Sequence, residues 1–197
     1  MKFPEVVWRL PEWIAQTVSA RGPVYDSVED RMRIVIELAR KNVELDGGGP
    51  FAAAVFERDT GRLVSPGVNM VVPMSCSVAH AEIVAIVIAQ TILSTYDLGA
   101  KGMLAYELVS STEPCAMCLG SVPWSGIRRL VCGARDEDAR AIGFDEGTKP
   151  ADWVRSLESR RIDVVRDILR DDVRGLLEWY RDRGGTIYNS RGGNSKR

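Results

Sequence analysis

Hydrophobic and polar positions along the first third of the chain predict one helix followed by a β-hairpin. Residues 27 to about 46 carry apolar side chains at helical spacing, and Ser27 can cap the start of that helix. Residues 51–56 are continuously apolar over a short length, which is typical of a buried strand. The turn at residues 59–61 leads to residues 63–69, which we expect to pair with that strand in antiparallel fashion.

The rest of the chain alternates between helical and strand patterns. Residues 78 to about 94 are strongly apolar and predict a buried helix. The later predicted elements, in chain order, are a strand over 103–110, a helix over 114–124, a strand over 129–133, a short helix around 136–141, a strand over 162–165 and a helix over 171–183. This alternation predicts an α/β layered domain with a mostly parallel sheet, which the hairpin makes mixed.

The two ends of the chain have a different character. Residues 1–26 contain three prolines and three apolar-aromatic clusters, so we expect an irregular N-terminal arm that packs on the body or on a neighbour. A central domain follows over residues 27–183. A C-terminal tail, 184–197, begins with two glycines, continues with the apolar pair Ile187 and Tyr188, and ends in a polar, Gly-rich stretch predicted to be disordered.

Composition narrows the function classes. The 197 residues are 45% hydrophobic, which fits one domain with a real core. A net charge of −1 argues against nucleic acid or an anionic membrane as the main partner. No long apolar run follows the N-terminus or occurs elsewhere, so we expect neither a signal peptide nor a membrane span. The four cysteines favour metal binding in a reducing cytoplasm over a disulfide framework, because two of them form a C-x-x-C.

Candidate chemistry lies in two short words. The single histidine, His80, is followed two residues later by Glu82, and Cys115 and Cys118 follow Pro114 further along. One imidazole and two thiolates can hold a tetrahedral Zn²⁺ and leave its fourth position open for water. Both words start predicted helices, where free N–H groups and the helix dipole favour thiolate over thiol.

Two other cysteines leave an alternative open. Cys76 lies four residues before His80 and could complete a closed, purely structural zinc site, which would hydrolyse nothing. That alternative gives Glu82 no role. Cys132 lies in a predicted strand and is more typical of a core thiol than of a ligand.

Taken together, the two words resemble the cytidine deaminase-like superfamily of zinc-dependent nucleobase deaminases. The chain is most similar to bacterial guanine deaminases, over residues 27 to 190. The matching words are Gly49-Pro50-Phe51-Ala52-Ala53, Asn69, His80-Ala81-Glu82, Glu113-Pro114-Cys115-Ala116-Met117-Cys118-Leu119-Gly120, Trp124, Ile142-Gly143-Phe144-Asp145-Glu146 and Ile187-Tyr188-Asn189. The first 26 residues have no counterpart in this pattern.

The resemblance implies a fold, an assembly and a set of roles. The fold is a three-layer α/β/α sandwich around a five-stranded mixed sheet, and the assembly is a homodimer in which the C-terminal segment reaches over the partner's active site. His80, Cys115 and Cys118 would hold zinc, and Glu82 would be catalytic. The resemblance also implies substrate contacts through an amide, aromatic walls, two carboxylates and a closing tyrosine: Asn69, Phe51 and Trp124, Asp138 and Glu146, and Tyr188.

Zinc hydrolysis of a ring amine follows from these roles. Zinc would lower the pKa of bound water to about 7, and hydroxide would add to the ring carbon that carries the exocyclic amine. Glu82 would take the water proton, pass it to a ring nitrogen and then protonate the leaving amine. Guanine is the expected substrate. The alternatives are another amino-substituted ring (guanosine, cytosine or an aminotriazine), the adenosine of a tRNA, and a zinc-stabilised binding module without activity.

Overall fold

The computed structural model describes residues 1–45 and 48–190. Its strands are β1 Ala52–Glu57, β2 Leu63–Val68, β3 Tyr106–Thr112, β4 Arg129–Ala134 and β5 Asp163–Val165. Its helices are α1 Glu12–Arg21, α2 Val28–Leu45, α3 Ala81–Ile92, α4 Ala116–Ser125, α5 Asp136–Ala141, α6 Trp153–Glu158 and α7 Arg170–Asp182. None of the described helices is long and apolar enough to cross a membrane.

A single mixed sheet organises the molecule, with strand order β2-β1-β3-β4-β5. β1 pairs antiparallel with both β2 and β3, whereas β3 with β4 and β4 with β5 are parallel. The five-stranded mixed sheet is therefore confirmed. It is less parallel than the pattern predicted, because β1 has antiparallel neighbours on both sides.

Two apolar clusters, one on each face of the sheet, form the three layers. On one face α2 and α7 pack against the strands, with Val35 and Leu177 in the same cluster as Val109. On the other face α3 packs on β1 and β2, and Ala85 lies in one cluster with Leu130. This arrangement confirms the α/β/α sandwich. Because β3 leads directly into α4 on the second face, the first residues of α4 come close to the start of α3.

Two helices were not predicted. The arm expected to be irregular contains α1, which starts after Pro11 and buries Ile14 beside α2. The helical period of α1 was hard to detect because its apolar stripe is short and lies among prolines. Pro11 does not oppose the helix, since a proline just ahead of the first turn removes no helical hydrogen bond. The other helix, α6, is only six residues long. The predicted disordered stretch lies, from residue 191 onward, outside the described residues, as does Asp46 at the end of the first predicted helix.

Candidate active site and metal centre

Two helix starts bring the predicted metal ligands together. His80 is the N-cap residue of α3 and Cys115 is the N-cap residue of α4, so each lies one residue outside the helix that was predicted to contain it. Cys118 lies in the first turn of α4 and is fully buried. Both caps have extended backbone and no side-chain capping bond, which leaves their side chains available for ligation.

The three ligand atoms have the spacing of a zinc site. They lie within 4.8 Å of one another, and His80 Nδ1 is 3.5 Å from Cys115 Sγ. Zn–N and Zn–S bonds of about 2.0 and 2.3 Å at a tetrahedral angle place such a nitrogen and sulfur about 3.5 Å apart. The spacing of the nitrogen and the Cys115 sulfur therefore fits zinc, and the second sulfur lies close enough to join them.

Within the described residues, the candidate metal site has three protein ligands, His80, Cys115 and Cys118. Neither Cys76 nor Glu82 belongs to it. The arrangement contradicts the closed site with Cys76 as fourth ligand, and it leaves one tetrahedral position for a non-protein ligand, as catalytic zinc sites require. Cys132 is fully buried on β4 in the apolar cluster under α3 and α4, as expected for a core thiol.

Electrostatics at the site favour one thiolate even without metal. A hydrogen bond from Cys118 and a second from His80 lower the pKa of Cys115 to about 4. The pKa of Cys118 is raised because it shares its proton with Cys115 and is buried. Burial raises the pKa of Glu82, and the charge of Cys115 adds to this effect. A carboxyl group with a raised pKa next to the metal ligands is suited to accept and return a proton.

A cavity of about 310 Å³ opens in front of these residues. The size suits a single heteroaromatic ring system rather than a folded polymer. Its wall contains four of the residues predicted to contact substrate. The lining residues are Phe51, Asn69, Val71, Ser77, His80, Glu82, Ser110, Thr112, Glu113, Cys115, Phe144, Asp145, Glu146, Tyr188, Asn189 and Ser190.

Aromatic rings form one side of the cavity. Phe51 meets Phe144 edge to face, with ring centroids 4.9 Å apart, and Phe144 lies 4.9 Å from Tyr188. Phe144 was not singled out in the sequence, although it belongs to the Ile142–Glu146 word. Its place between the other two rings makes it the centre of the aromatic wall.

Polar groups complete the cavity. Asn69 is buried, and its Oδ1 accepts a hydrogen bond from the backbone N–H of Val71 at 3.3 Å. Burial raises the pKa of Glu146 to about 8, and the charges of Cys115 and Glu82 add to the shift. Glu113, also missed in the sequence, is buried and paired with Arg166. Two carboxyl groups, Glu82 and Glu146, therefore line the cavity with raised pKa values.

Asp138, predicted to contact substrate, does not line the cavity. It lies in the first turn of α5, where its carboxylate accepts a bond from the Arg135 N–H at 2.7 Å. The same carboxylate pairs with Arg170 at 2.8 Å. A helix cap and an ion pair to α7 account for this carboxylate, so Glu146 alone of the two predicted acidic contacts faces substrate space.

Trp124 also lies outside the cavity. Its side chain is 86% exposed and borders a separate depression that contains Trp153. Helical geometry accounts for this: Trp124 follows Cys118 by six residues on α4, and at about 100° per residue the two side chains point about 120° apart. Trp124, predicted as a pocket wall, therefore does not line the cavity of its own chain.

The C-terminal tail lies over the cavity of its own chain. Asn189 Nδ2 donates to the Gly143 carbonyl, and Asn189 Oδ1 accepts from the Asp145 N–H, both at 2.9 Å. The Tyr188 hydroxyl packs so closely on Gly49 that any side chain there would collide with it. The tail therefore lies along the cavity of its own chain, and its action as a lid and its exchange between subunits stay predictions.

More than half of the chain matches a known family of zinc-binding deaminases. The family model for the cytidine and deoxycytidylate deaminase zinc-binding region matches residues 26–134. The chain belongs to this family. The match spans both zinc-ligand words and strands β1 to β4 of the sheet, but not β5.

Solved structures extend the likeness beyond that region. A guanine deaminase from Nitrosomonas europaea is 50% identical, over 90% of this chain and 97% of that one, with a TM-score of 0.85. A chain solved in complex with 2,6-diaminopurine is 52% identical, over 94% of this chain and 97% of that one, with a TM-score of 0.86. The predicted family and its zinc chemistry are confirmed: this cytidine deaminase-family chain carries the site of a zinc aminohydrolase.

Curated relatives include more than one substrate class. Guanine deaminase of Bacillus subtilis is 29% identical over 151 residues, which are 77% of this chain and 92% of that protein. The tRNA-specific adenosine deaminase of Haemophilus influenzae is 38% identical over 120 residues, which are 58% of this chain and 62% of that protein. Identity in the shared region therefore does not by itself choose the substrate.

Proposed function

We propose that the protein deaminates free guanine to xanthine and ammonia, a reaction of purine breakdown. The proposal rests on one small cavity that brings together metal ligands, carboxyl groups and aromatic rings. The three-ligand metal group adjoins the cavity, and the carboxyl groups of Glu82 and Glu146 line it together with the Phe51–Phe144–Tyr188 wall.

The chain's own residues account for the proton transfers. His80, Cys115 and Cys118 would hold zinc, which would make a water nucleophilic at neutral pH and stabilise negative charge. Glu82 takes the first proton of the attacking water as the C–O bond forms at the ring carbon and gives it to a ring nitrogen. It then takes the second proton from the new C–OH group and gives it to the leaving amine as the C–N bond breaks, so that ammonia leaves and a ring carbonyl remains.

Substrate recognition follows from the remaining groups. The Asn69 amide offers both a donor and an acceptor to the edge of the base. The Glu146 carboxylate can accept N–H donors, of which guanine presents several. The aromatic wall provides faces for ring stacking. A site built for several N–H donors discriminates against bases that lack them, because its acceptors would remain buried without partners.

The position of the tail argues against a tRNA substrate. Tyr188, Asn189 and Ser190 line the same cavity as Glu82, and a polynucleotide would have to displace them. Another amino-substituted ring remains the alternative within the same chemistry, and the probable cytosine deaminase of Schizosaccharomyces pombe is 29% identical over 134 residues. A binding module without activity would leave the buried Glu82 carboxyl beside the metal ligands unused.

We further propose a homodimer that works in a reducing compartment such as the cytoplasm. Trp124 is 86% exposed and Met117, on the same helix, is 38% exposed, which is an unusual amount of apolar surface for a free helix. Both ligand thiols must stay reduced to bind metal.

Because each tail reaches its own cavity, we propose that each subunit closes its own site. An inactive Glu82→Gln subunit mixed with a tail-deleted subunit should then give no complementation in verified heterodimers, whereas rescue would show exchange of tails.

An ammonia-release screen tests the substrate. Zinc-loaded protein is supplied with guanine, guanosine, cytosine, adenine, adenosine and an aminotriazine, and initial rates are compared at equal concentration. We expect guanine to give the highest kcat/KM. Faster turnover of another ring would change the substrate but keep the chemistry. Retained zinc without ammonia release from any of them would support the binding module.

A further inference from the structure

One short stretch of chain, residues 146–149, makes hydrogen bonds to the backbone on both sides of Cys115. The backbone N–H of Ala116, directly after the cysteine, donates to the Glu146 carbonyl at 2.9 Å. The carbonyl of Pro114, directly before it, accepts a hydrogen bond from Lys149 Nζ at 2.9 Å. These two bonds bracket Cys115, and both partners come from one short stretch of chain.

Lys149 is itself held firmly. Its side chain is only 8% exposed, and its ammonium group lies 2.6 Å from Asp136 Oδ1. The same ammonium lies 5.7 Å from the centre of the Trp153 ring, within range of a cation–π interaction. A lysine so shielded from water, with a carboxylate and a carbonyl as acceptors, makes charge-assisted hydrogen bonds in a fixed direction. It does not touch the cavity, so its role cannot be contact with substrate.

We propose that Lys149 is a positioning residue for the metal ligand Cys115. The Pro114 carbonyl is the oxygen of the Pro114–Cys115 peptide, so the Lys149 bond holds that peptide directly at the metal ligand. Loss of the Lys149 bond would free the Pro114–Cys115 peptide to rotate and would move the Cys115 sulfur relative to His80 and Cys118. Outer groups that orient ligands in this way contribute strongly to metal affinity. The inference rests on the zinc site proposed above.

Zinc affinity of the full-length protein provides the test, measured by competition with a chromophoric chelator. Lys149→Met keeps the length of the side chain and removes its charge and donors, and we expect zinc to bind about 10- to 100-fold more weakly. Lys149→Arg keeps the charge and should show a smaller loss. Lys101→Met, at an exposed position on the loop before β3, is the matched control and should bind zinc like the wild type.

A second readout separates positioning from general stability. With Co²⁺ in place of zinc, the d–d absorption reports ligand geometry, and we expect its bands to shift in Lys149→Met and to stay unchanged in Lys101→Met. Should Lys149→Met fail to fold, Asp136→Asn, which weakens the hold on the ammonium, should show the same change to a smaller degree. A lower melting temperature with wild-type zinc affinity and cobalt spectrum would overturn the inference. A wild-type protein that binds no zinc would instead overturn the proposed metal site.

Discussion

Asn189 provides the sharpest test of the tail as a lid. Its side chain makes two hydrogen bonds at 2.9 Å, to the Gly143 carbonyl and from the Asp145 N–H, and it is the last described polar anchor of the tail. Substitution to alanine removes both bonds and leaves the backbone free to take the same path. Zinc ligands and Glu82 are untouched, and a loss of turnover that goes together with faster opening of the tail therefore indicates an effect on closure.

The expected magnitude follows from these two bonds. Each is worth about 0.5–1 kcal/mol, the lower part of the usual range, because the side chain is only half-buried. Together they bias the tail towards the closed position by about 1–2 kcal/mol, which is a factor of about 5–30 in the ratio of closed to open forms. If reaction requires the closed tail, kcat/KM for guanine should fall by a factor of that size in Asn189→Ala.

Steady-state kinetics and limited proteolysis measure the effect together. Trypsin cleavage after the exposed Arg183 should become faster in Asn189→Ala, because the tail opens more often, while zinc content stays at about one per chain. Gln16→Ala, at an exposed position on α1, serves as control. If kcat/KM stays within twofold of the wild type although cleavage accelerates, the tail opens without consequence and is not a lid. If neither changes, the two hydrogen bonds do not hold the tail.

Three further substitutions test individual roles. Glu82→Gln keeps the shape of the side chain but cannot transfer protons, so zinc should remain while kcat falls about 100-fold or more; near-normal turnover of the zinc-loaded variant would remove Glu82 from the mechanism. Cys76→Ser should keep both zinc and activity, since this cysteine lies outside the ligand group, and metal loss would restore the closed-site alternative. Asp138→Asn should lower the free energy of unfolding by about 1–2 kcal/mol and leave KM for guanine unchanged. Burial opposes ionisation of Asp138, but the Arg170 bond lowers its pKa overall. Its contribution is therefore present above the ordinary aspartate pKa and is lost as pH falls through the lowered one, so wild type and variant should converge in denaturant titrations at acidic pH; a raised KM would return Asp138 to the site.

The metal group could be predicted from the sequence because its chemistry is local. Cys115 and Cys118 are three residues apart at the start of one helix, and that spacing alone places both thiols on the same side. Only His80 comes from a distant part of the chain, and its place beside the two cysteines was predicted from the resemblance of both motifs to zinc deaminases. The strand and helix order was predictable for a similar reason, since each element has its own hydrophobic period. The two missed helices, α1 and α6, are short and have weak periods.

Substrate contacts were harder to predict because they depend on side-chain direction across separate segments. Trp124 lies outside the cavity of its own chain although it belongs to the same helix as Cys118, since six residues of helix turn its side chain about 120° away from that ligand. Asp138 also lies outside the cavity, because its acidic neighbourhood gave no sign that Arg170, far along the chain, would pair with its carboxylate. Lys149 carried no signal at all: a lysine eight residues beyond α5 reads as a surface residue until the fold places it against Pro114.

Several residues of the cavity wall lie outside the region that matches the family. The family match ends at residue 134, and Phe144, Glu146 and Tyr188 all lie beyond it. Within the match, the buried Asn42 steadies the remaining recognition elements: its Nδ2 donates to the carbonyls of both Gly49 and Asn69 at 2.9 Å. The region that matches the family therefore carries the zinc ligands but only part of the cavity wall. The tRNA-specific adenosine deaminase of Haemophilus influenzae is 38% identical over 120 residues, whereas the 50% identity to a guanine deaminase extends over 90% of the chain and so reaches beyond the family region. We therefore expect residues beyond the zinc region to discriminate between substrates.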